Sequence, residues 1–160
     1  MAVLLVLAGA YWVYRQMFPP DRVVIRQNLR ELAQGLSYRN EGGRPLAVLA
    51  GLNRVLGHFT EDVEIVLDDV PGVRNRVIQG RQELRELIAG SRAGSDSIQV
   101  RLLEIYVERI DRGEAMVQII VGVQVDSEED EFVQELRLGL VKEGREWLIR
   151  RVDPVPTLKM

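Results

Sequence analysis

The second half of the chain contains four strand-like runs separated only by short polar turns. The runs are SIQVRLLEIYVERI, AMVQIIVGVQVD, FVQELRLGLVKE and EWLIRRVDPV, and the turns are DRGE, SEEDE and EGRE. Turns of this length join antiparallel neighbours, because a parallel connection needs about a dozen residues or more. The sequence therefore predicts a meander of four long antiparallel strands.

The first of these runs changes the face on which its apolar residues lie. The apolar positions are even-numbered up to Leu102 and then continue as Leu103, Ile105 and Val107. Since side chains alternate between the two faces of a strand, such a change requires one inserted residue. We therefore predict a β-bulge and a bend at Leu102 or Leu103, which gives the sheet one concave face.

Amphipathic helices and short strands precede the meander. The spacing predicts a helix over about 22–37 with Asp21 as its N-cap, a second helix that opens at Pro45, and a third that contains RQELRELIAG. DVEIVL (62–67) and RNRVIQG (74–80) are typical of short strands. The predicted fold class is α+β, a cone-shaped, bent antiparallel sheet of about four long and two short strands covered by three helices.

The first 20 residues are a separate apolar segment that ends at Pro19-Pro20 and carries no charge before Arg15. Aromatic side chains with an arginine beside them are typical of the end of a transmembrane helix, at the level of the lipid headgroups. The last part of this segment has such a group, with Tyr11, Trp12, Tyr14 and Arg15. We expect residues 1–20 to be an uncleaved transmembrane-like anchor, residues 21–155 to form one domain, and residues 156–160 to be a tail.

Other interpretations of this segment stay open. A cleaved export signal has a basic region before its apolar run, and none is present here; a buried helix of a soluble domain is the third possibility. We expect a single-pass protein of a bacterial-type inner membrane. The side of the membrane on which the domain lies is not determined, because a start codon placed too far downstream would hide basic residues.

Composition excludes several classes of function. The net charge is -3, and the chain has one histidine and no cysteine. These values argue against nucleic-acid binding, disulfides, thiolate metal sites and histidine-rich metal sites. No glycine-rich phosphate loop, zinc motif or nucleophile elbow occurs, and the acidic run DSEEDE is typical of a solvated hairpin tip. We therefore predict no cofactor, no metal and no nucleic-acid partner.

The order of elements resembles the nuclear transport factor 2-like superfamily, which includes SnoaL-like and ketosteroid-isomerase-like proteins. Three stretches carry the resemblance: VLGHFTEDVEIVLDDVPG, VIQGRQELRELI and LRLGLVKEGREWLIRRVDPV. The resemblance implies a cone fold and a homodimer formed through the sheet. It names no reaction, because members include isomerases, cyclases, dehydratases, transport adaptors and membrane-tethered subunits of larger assemblies.

The same resemblance implies a candidate base. In the isomerases of this superfamily a carboxylate after the first strand moves the proton, and a tyrosine and a protonated aspartate form the oxyanion hole. Asp68 or Asp69 stands near the position of the base, although two aspartates before Val-Pro-Gly are equally typical of a turn. Asn28 lies about where the tyrosine would be, and Glu135 beside Arg137 would stay ionised where the aspartate would be.

Polar and aromatic residues along the predicted cone are candidates to line a ligand pocket, although each also suits a cap, a surface loop or the core: Asn28, Tyr38, His58, Gln134 and Trp147. His58 is expected in the last turn of the second helix. The catalytic set is incomplete, so we favour a membrane-anchored domain with a non-catalytic role in ligand binding or protein assembly. The alternatives are a tethered isomerase, cyclase or dehydratase acting on an apolar small molecule, and a subunit of a membrane secretion or transport complex.

Overall fold

A computed structural model of the chain describes residues 2–40, 42, 45–68, 75–127 and 129–156. The helices are α1 (Ala2–Met17), α2 (Asp21–Leu36), α3 (Pro45–Leu56) and α4 (Gly80–Ala93). The strands are β1 (Tyr38–Arg39), β2 (Phe59–Leu67), β3 (Arg76–Gln79), β4 (Ser97–Asp111), β5 (Glu114–Val125), β6 (Phe132–Glu143) and β7 (Glu146–Pro154). The α+β class and the four long strands are confirmed.

The strands form one sheet in the order β1-β4-β5-β6-β7-β2-β3. Strands β4 to β7 are the predicted antiparallel meander. Strand β2, however, pairs in parallel with β7, so the sheet is mixed and the expectation of a purely antiparallel sheet is wrong. The parallel pair arises because the chain leaves the β2–β3 hairpin through α4 and returns beside β2 only at its last strand.

The predicted bulge lies where the change of face indicated. Leu102 pairs with Val121 and Glu104 pairs with Ile120, so Leu103 is the inserted residue. A second shift of register follows between Val107 and Arg109. These two irregularities let β4 bend while its apolar side chains continue to face the core.

The core lies between the inner face of the sheet and helices α2, α3 and α4. Helix α2 buries a stripe at helical spacing, with Ile25, Leu29 and Leu32 directed inward. Strand β5 buries alternate residues, among them Val117 and Ile119. The spacing of apolar residues in the sequence therefore identifies the faces of these helices and strands that pack into the core.

The beginning of α2 differs from the prediction. Asp21 is the first helical residue, and the N-cap position belongs to Pro20, which makes no side-chain capping bond. The Asp21 carboxylate instead accepts hydrogen bonds from Trp147 Nε1 at 3.1 Å and from Lys142 Nζ at 3.0 Å. Two tertiary donors therefore take the oxygen that a local cap would have used.

Helix α1 has 16 residues, and none of them is buried. It ends at Met17 because Phe18 precedes Pro19, and the residue before a proline is disfavoured in helical conformation. No helix within the described residues is long and apolar enough to cross a membrane. The expected transmembrane anchor is therefore not supported.

Candidate functional site

A cleft of about 350 Å³ lies between α2, the turn after α3 and the start of β7. It brings together three of the five side chains that the sequence suggested for a ligand pocket. The residues that line it are Asn28, Glu31, Arg54, Gly57, His58, Glu146, Trp147 and Leu148. We refer to it below as the His58 cleft.

His58 is held in the cleft by its main chain. It lies in the turn between the end of α3 and the start of β2, not within the helix as the sequence suggested. Its N–H donates to the Val55 carbonyl at 3.1 Å, and its carbonyl accepts from the Ile149 N–H at 2.8 Å. The imidazole therefore projects from a backbone that is fixed to both the helix and β7.

Burial and the neighbouring charges act in opposite directions on the pKa of His58. Burial lowers the pKa of the imidazole, while the carboxylates of Glu31 and Glu146 raise it, and the effect of burial is the larger. The ring is consequently neutral near pH 7 and offers one nitrogen that donates and one that accepts. A neutral imidazole can bind a ligand by hydrogen bonds of both kinds.

Trp147 forms part of the wall and is only 2% exposed. Its indole N–H is already used by Asp21, and the Lys142 ammonium lies 5.8 Å from the centre of its ring. These two donors lower the pKa of the Asp21 carboxyl group, which therefore stays ionised. Trp147 supports the cleft as a core residue and leaves little ring surface for stacking on a ligand.

Several polar side chains of the cleft have no hydrogen-bond partner among the residues that the structure describes. Within the described part of the chain, the side chains of Asn28, Arg54, His58 and Glu146 form no hydrogen bond. Amide, guanidinium, imidazole and carboxylate groups thus face one small volume with their hydrogen-bonding capacity free. The cleft therefore offers both hydrogen-bond donors and hydrogen-bond acceptors.

Three charged lining residues were missed by the sequence analysis. Glu31 lies three residues after Asn28 on α2, Arg54 lies four residues before His58, and Glu146 is next to Trp147. Helical spacing from a candidate residue could have found the first two. Nothing local marks Glu146, because its place depends on how the β6–β7 hairpin meets α2 and α3.

A second cleft adjoins the first and shares Gly57, Glu146 and Leu148 with it. Its other lining residues are mainly acidic, and among the described side chains no group of three or more carboxylates or histidines could hold a metal ion. Arg81 donates two hydrogen bonds to the Phe59 carbonyl and is thereby fixed to β2. This cleft extends the acidic surface beside His58.

The remaining ligand-pocket candidates lie elsewhere. Tyr38, in β1, lines a separate cleft of about 300 Å³ at the start of β4, and the Arg92 guanidinium lies 5.3 Å from its ring centre. Gln134 is partly buried and pairs with Val121, on the face of the sheet that is otherwise apolar. Neither residue joins the His58 cleft, so their roles in ligand binding stay predictions.

Asp68, one of the two candidates for the base, does not line any of these clefts. Asp68 is exposed at the end of β2, and Asp69 lies outside the described residues. The carboxylate of Glu135 accepts a hydrogen bond from Gln118, and Arg137 forms an ion pair with Glu108 at 3.7 Å. A catalytic role for Asp68 or Asp69 stays a prediction.

Comparisons with known proteins agree on the fold. No protein-family model matches the chain, and no curated protein does. An NTF2-like protein with a cystatin-like fold from Novosphingobium aromaticivorans is 16% identical, with a TM-score of 0.64 over 96% of this chain and 90% of that one. A protein from the same organism, provisionally named a scytalone dehydratase, is 15% identical, with a TM-score of 0.64 over 86% of this chain and 85% of that one.

A third structure, a domain of unknown function with a cystatin-like fold from Nostoc punctiforme, is 13% identical with a TM-score of 0.64, over 88% of this chain and 79% of that one. Identities at this level show the fold alone. The chain therefore has the NTF2-like fold, as its sequence pattern suggested, and the fold hosts many functions.

Proposed function

We propose that this protein is a non-catalytic binding domain of NTF2-like fold that works at a membrane surface, with α1 in contact with lipid. The observation that carries the proposal is that no residue of this apolar helix is buried. Large apolar side chains stabilise by about 1.5–3 kcal/mol each when they leave water, so a helix that exposes this many favours an apolar partner. Those exposed are Val3, Leu4, Leu5, Val6, Leu7, Tyr11, Trp12, Val13, Tyr14 and Met17.

The end of α1 that meets the domain has the chemistry of the membrane interface. The rings of Tyr14 and Phe18 lie 5.1 Å apart, and the Arg145 guanidinium of the β6–β7 hairpin lies 5.8 Å from the Phe18 ring centre. Trp12 and Arg15 lie together on the helix surface. Aromatic rings beside arginines are favoured at headgroup level, which supports a bilayer as the partner of α1.

Flotation of the full chain with lipid vesicles tests the proposal. Wild-type protein is expected to float with the vesicles, and the double variant Leu5→Asp/Trp12→Asp to stay in the dense fraction. A matched control, Leu46→Asp/Leu49→Asp, places the same charges on exposed positions of α3 and is expected to float.

Both variants should unfold at the wild-type temperature, because the replaced side chains are exposed. Flotation of the α1 variant at the wild-type level would contradict the proposal. Extraction at alkaline pH then separates a helix that lies on the bilayer, which is released, from one that crosses it, which is retained.

A second proposed role is the binding of a small polar molecule in the His58 cleft. The free side chains of Asn28, Arg54, His58 and Glu146 support it, since they offer donors and acceptors of both charges. A small-molecule screen followed by NMR of the single histidine is the direct test. A compound that shifts the His58 resonances of wild type but does not bind Arg54→Ala would support the role, and a screen in which no compound shifts them would contradict it.

We further propose that a second copy or a membrane-complex subunit meets the outer face of the sheet. Tyr106 on β4 and Val133 on β6 are 63% and 52% exposed on that face.

The alternative of an isomerase, cyclase or dehydratase rests on Asp68 or Asp69, and it gains no supporting contact among the described residues.

A further inference from the structure

We infer that a row of arginines at the end of α1 and along α2 binds anionic lipid headgroups and holds the exposed side of α2 against the bilayer. The row, called here the basic stripe, consists of Arg15, Arg22, Arg26 and Arg30. The inference rests on the proposed contact between α1 and lipid. It adds to that proposal the charge of the lipid and the side of the domain that faces it.

The spacing of the stripe places its charges together. Arg22, Arg26 and Arg30 follow one another at intervals of four on α2, so they lie on one face, about 6 Å apart along the helix axis. All three are exposed, and they lie along the edge of the helix face that buries Ile25 and Leu29. The three arginines of α2 are therefore a linear array of cations on the surface of the domain, and Arg15 precedes them at the end of α1.

The sequence between the first and the last arginine of the basic stripe provides little counter-charge. Asp21 is the single acidic residue between Arg15 and Arg30, and its carboxylate is held by Lys142 and Trp147. Within the described residues, the guanidinium groups of Arg15, Arg26 and Arg30 form no hydrogen bond or ion pair.

Arg22 differs from the others because its Nη1 donates to the Val107 carbonyl at 3.2 Å. Its charge is nevertheless not neutralised, because a carbonyl oxygen carries no net charge. Like charges four residues apart destabilise a helix, and external anions would remove that repulsion.

The position of the stripe selects lipid over other polyanions. Only Phe18, Pro19 and Pro20 separate α1 from α2, so the cations begin within about one helical turn of the apolar helix. Val23 is 51% exposed beside Arg22 and continues the apolar surface onto α2. An apolar segment followed directly by clustered arginines provides the two signals that together give stable attachment to an anionic membrane. The overall charge of -3 disfavours nucleic acid as the partner.

The test compares binding of the full chain to vesicles of neutral phosphatidylcholine and to vesicles with about 30% phosphatidylglycerol. Clustered arginines near an anionic surface each strengthen binding about fivefold, so Arg26→Gln/Arg30→Gln should weaken binding to anionic vesicles by about 25-fold. The binding of this double variant to neutral vesicles should stay at the wild-type level. The control Arg76→Gln/Arg109→Gln removes two exposed arginines on strands and should leave both unchanged.

Raising the salt concentration should remove the preference of the wild type for anionic vesicles, because added ions screen the attraction between exposed charges. Equal binding of the wild type to neutral and anionic vesicles would overturn this inference and leave the proposed role of α1 intact. Loss of binding in the control pair equal to that in the stripe pair would also overturn it. Failure to bind either kind of vesicle would overturn the role of α1 and the inference together.

Discussion

His58 is the single histidine of the chain, and the fold sets its pKa. Burial lowers the pKa, and Glu31 and Glu146 oppose that effect. We expect an NMR titration of the imidazole to have a midpoint below the ordinary value of about 6.5. Glu31→Gln should lower the midpoint further, because a carboxylate that stabilises the imidazolium is lost, whereas the exposed Glu104→Gln on β4 should not change it. A midpoint at or above the ordinary value would contradict the assigned balance of burial and charge.

The same shift makes stability depend on pH. The folded pKa of His58 is depressed, so its contribution is present in full above the unfolded pKa and is lost as the pH falls through the folded pKa. The free energy of unfolding of wild type should therefore fall relative to that of His58→Gln as the pH is lowered from about 7 through the ordinary histidine pKa of about 6.5.

Asp21 links the start of α2 to β6 and β7. Hydrogen bonds from Trp147 and Lys142 lower the pKa of its carboxyl group, so its stabilising effect is present above the unfolded pKa and is lost as the pH falls through the folded pKa. We expect Asp21→Asn to lower the free energy of unfolding by about 1 kcal/mol at pH 7 and by much less near pH 2. Denaturant unfolding across this range measures the difference.

The exposed Glu143→Gln, on the same hairpin as Lys142 but without a hydrogen-bond partner among the described residues, is the matched control. A gap between wild type and Asp21→Asn that does not change with pH would show that the carboxylate charge plays no part.

At the scale of the elements, two helical glycines should respond in opposite ways to alanine. A Cβ at Gly51 in α3 would meet no atom within 4 Å, whereas one at Gly35 in α2 would lie 2.9 Å from Cγ2 of the buried Val55. Alanine favours a helix over glycine by about 0.5–1 kcal/mol, so Gly51→Ala should stabilise by that amount. Gly35→Ala should destabilise, because Val55 is β-branched and enclosed by the core. Thermal unfolding of the two variants measures these changes in stability. Equal changes in the unfolding temperature of both variants would contradict the difference in packing.

The sequence predicted most elements because their signals are local. Three- and four-residue spacing gave α2 and α3, and the change of face at Leu103 gave the bulge in β4. It missed β1, since two residues are too few to show alternation, and placed a cap at Asp21 because tertiary donors cannot be read from local sequence. It also overestimated the reach of the first helix, which ends at Met17.

For the whole molecule, the exposed outer face of the sheet predicts self-association. Tyr106 lies on that face opposite Gln118, and we expect Tyr106→Glu to convert a dimer into a monomer. Sedimentation velocity of the full chain in detergent micelles measures the change. Leu49→Glu places the same charge on an exposed position of α3 and should stay dimeric. A wild-type monomer would contradict self-association through this face.

The sequence by itself determined the secondary-structure faces, the α+β class and the apolar character of α1, because each depends on residues within one or two turns or along a single strand. Only the tertiary structure decided that β2 runs parallel to β7 and that Asp21 binds Trp147, a residue 126 positions away. The His58 cleft likewise takes its polar groups from α2, α3 and the start of β7. A site assembled from distant segments has no local signal, because its geometry comes from how the elements pack against one another.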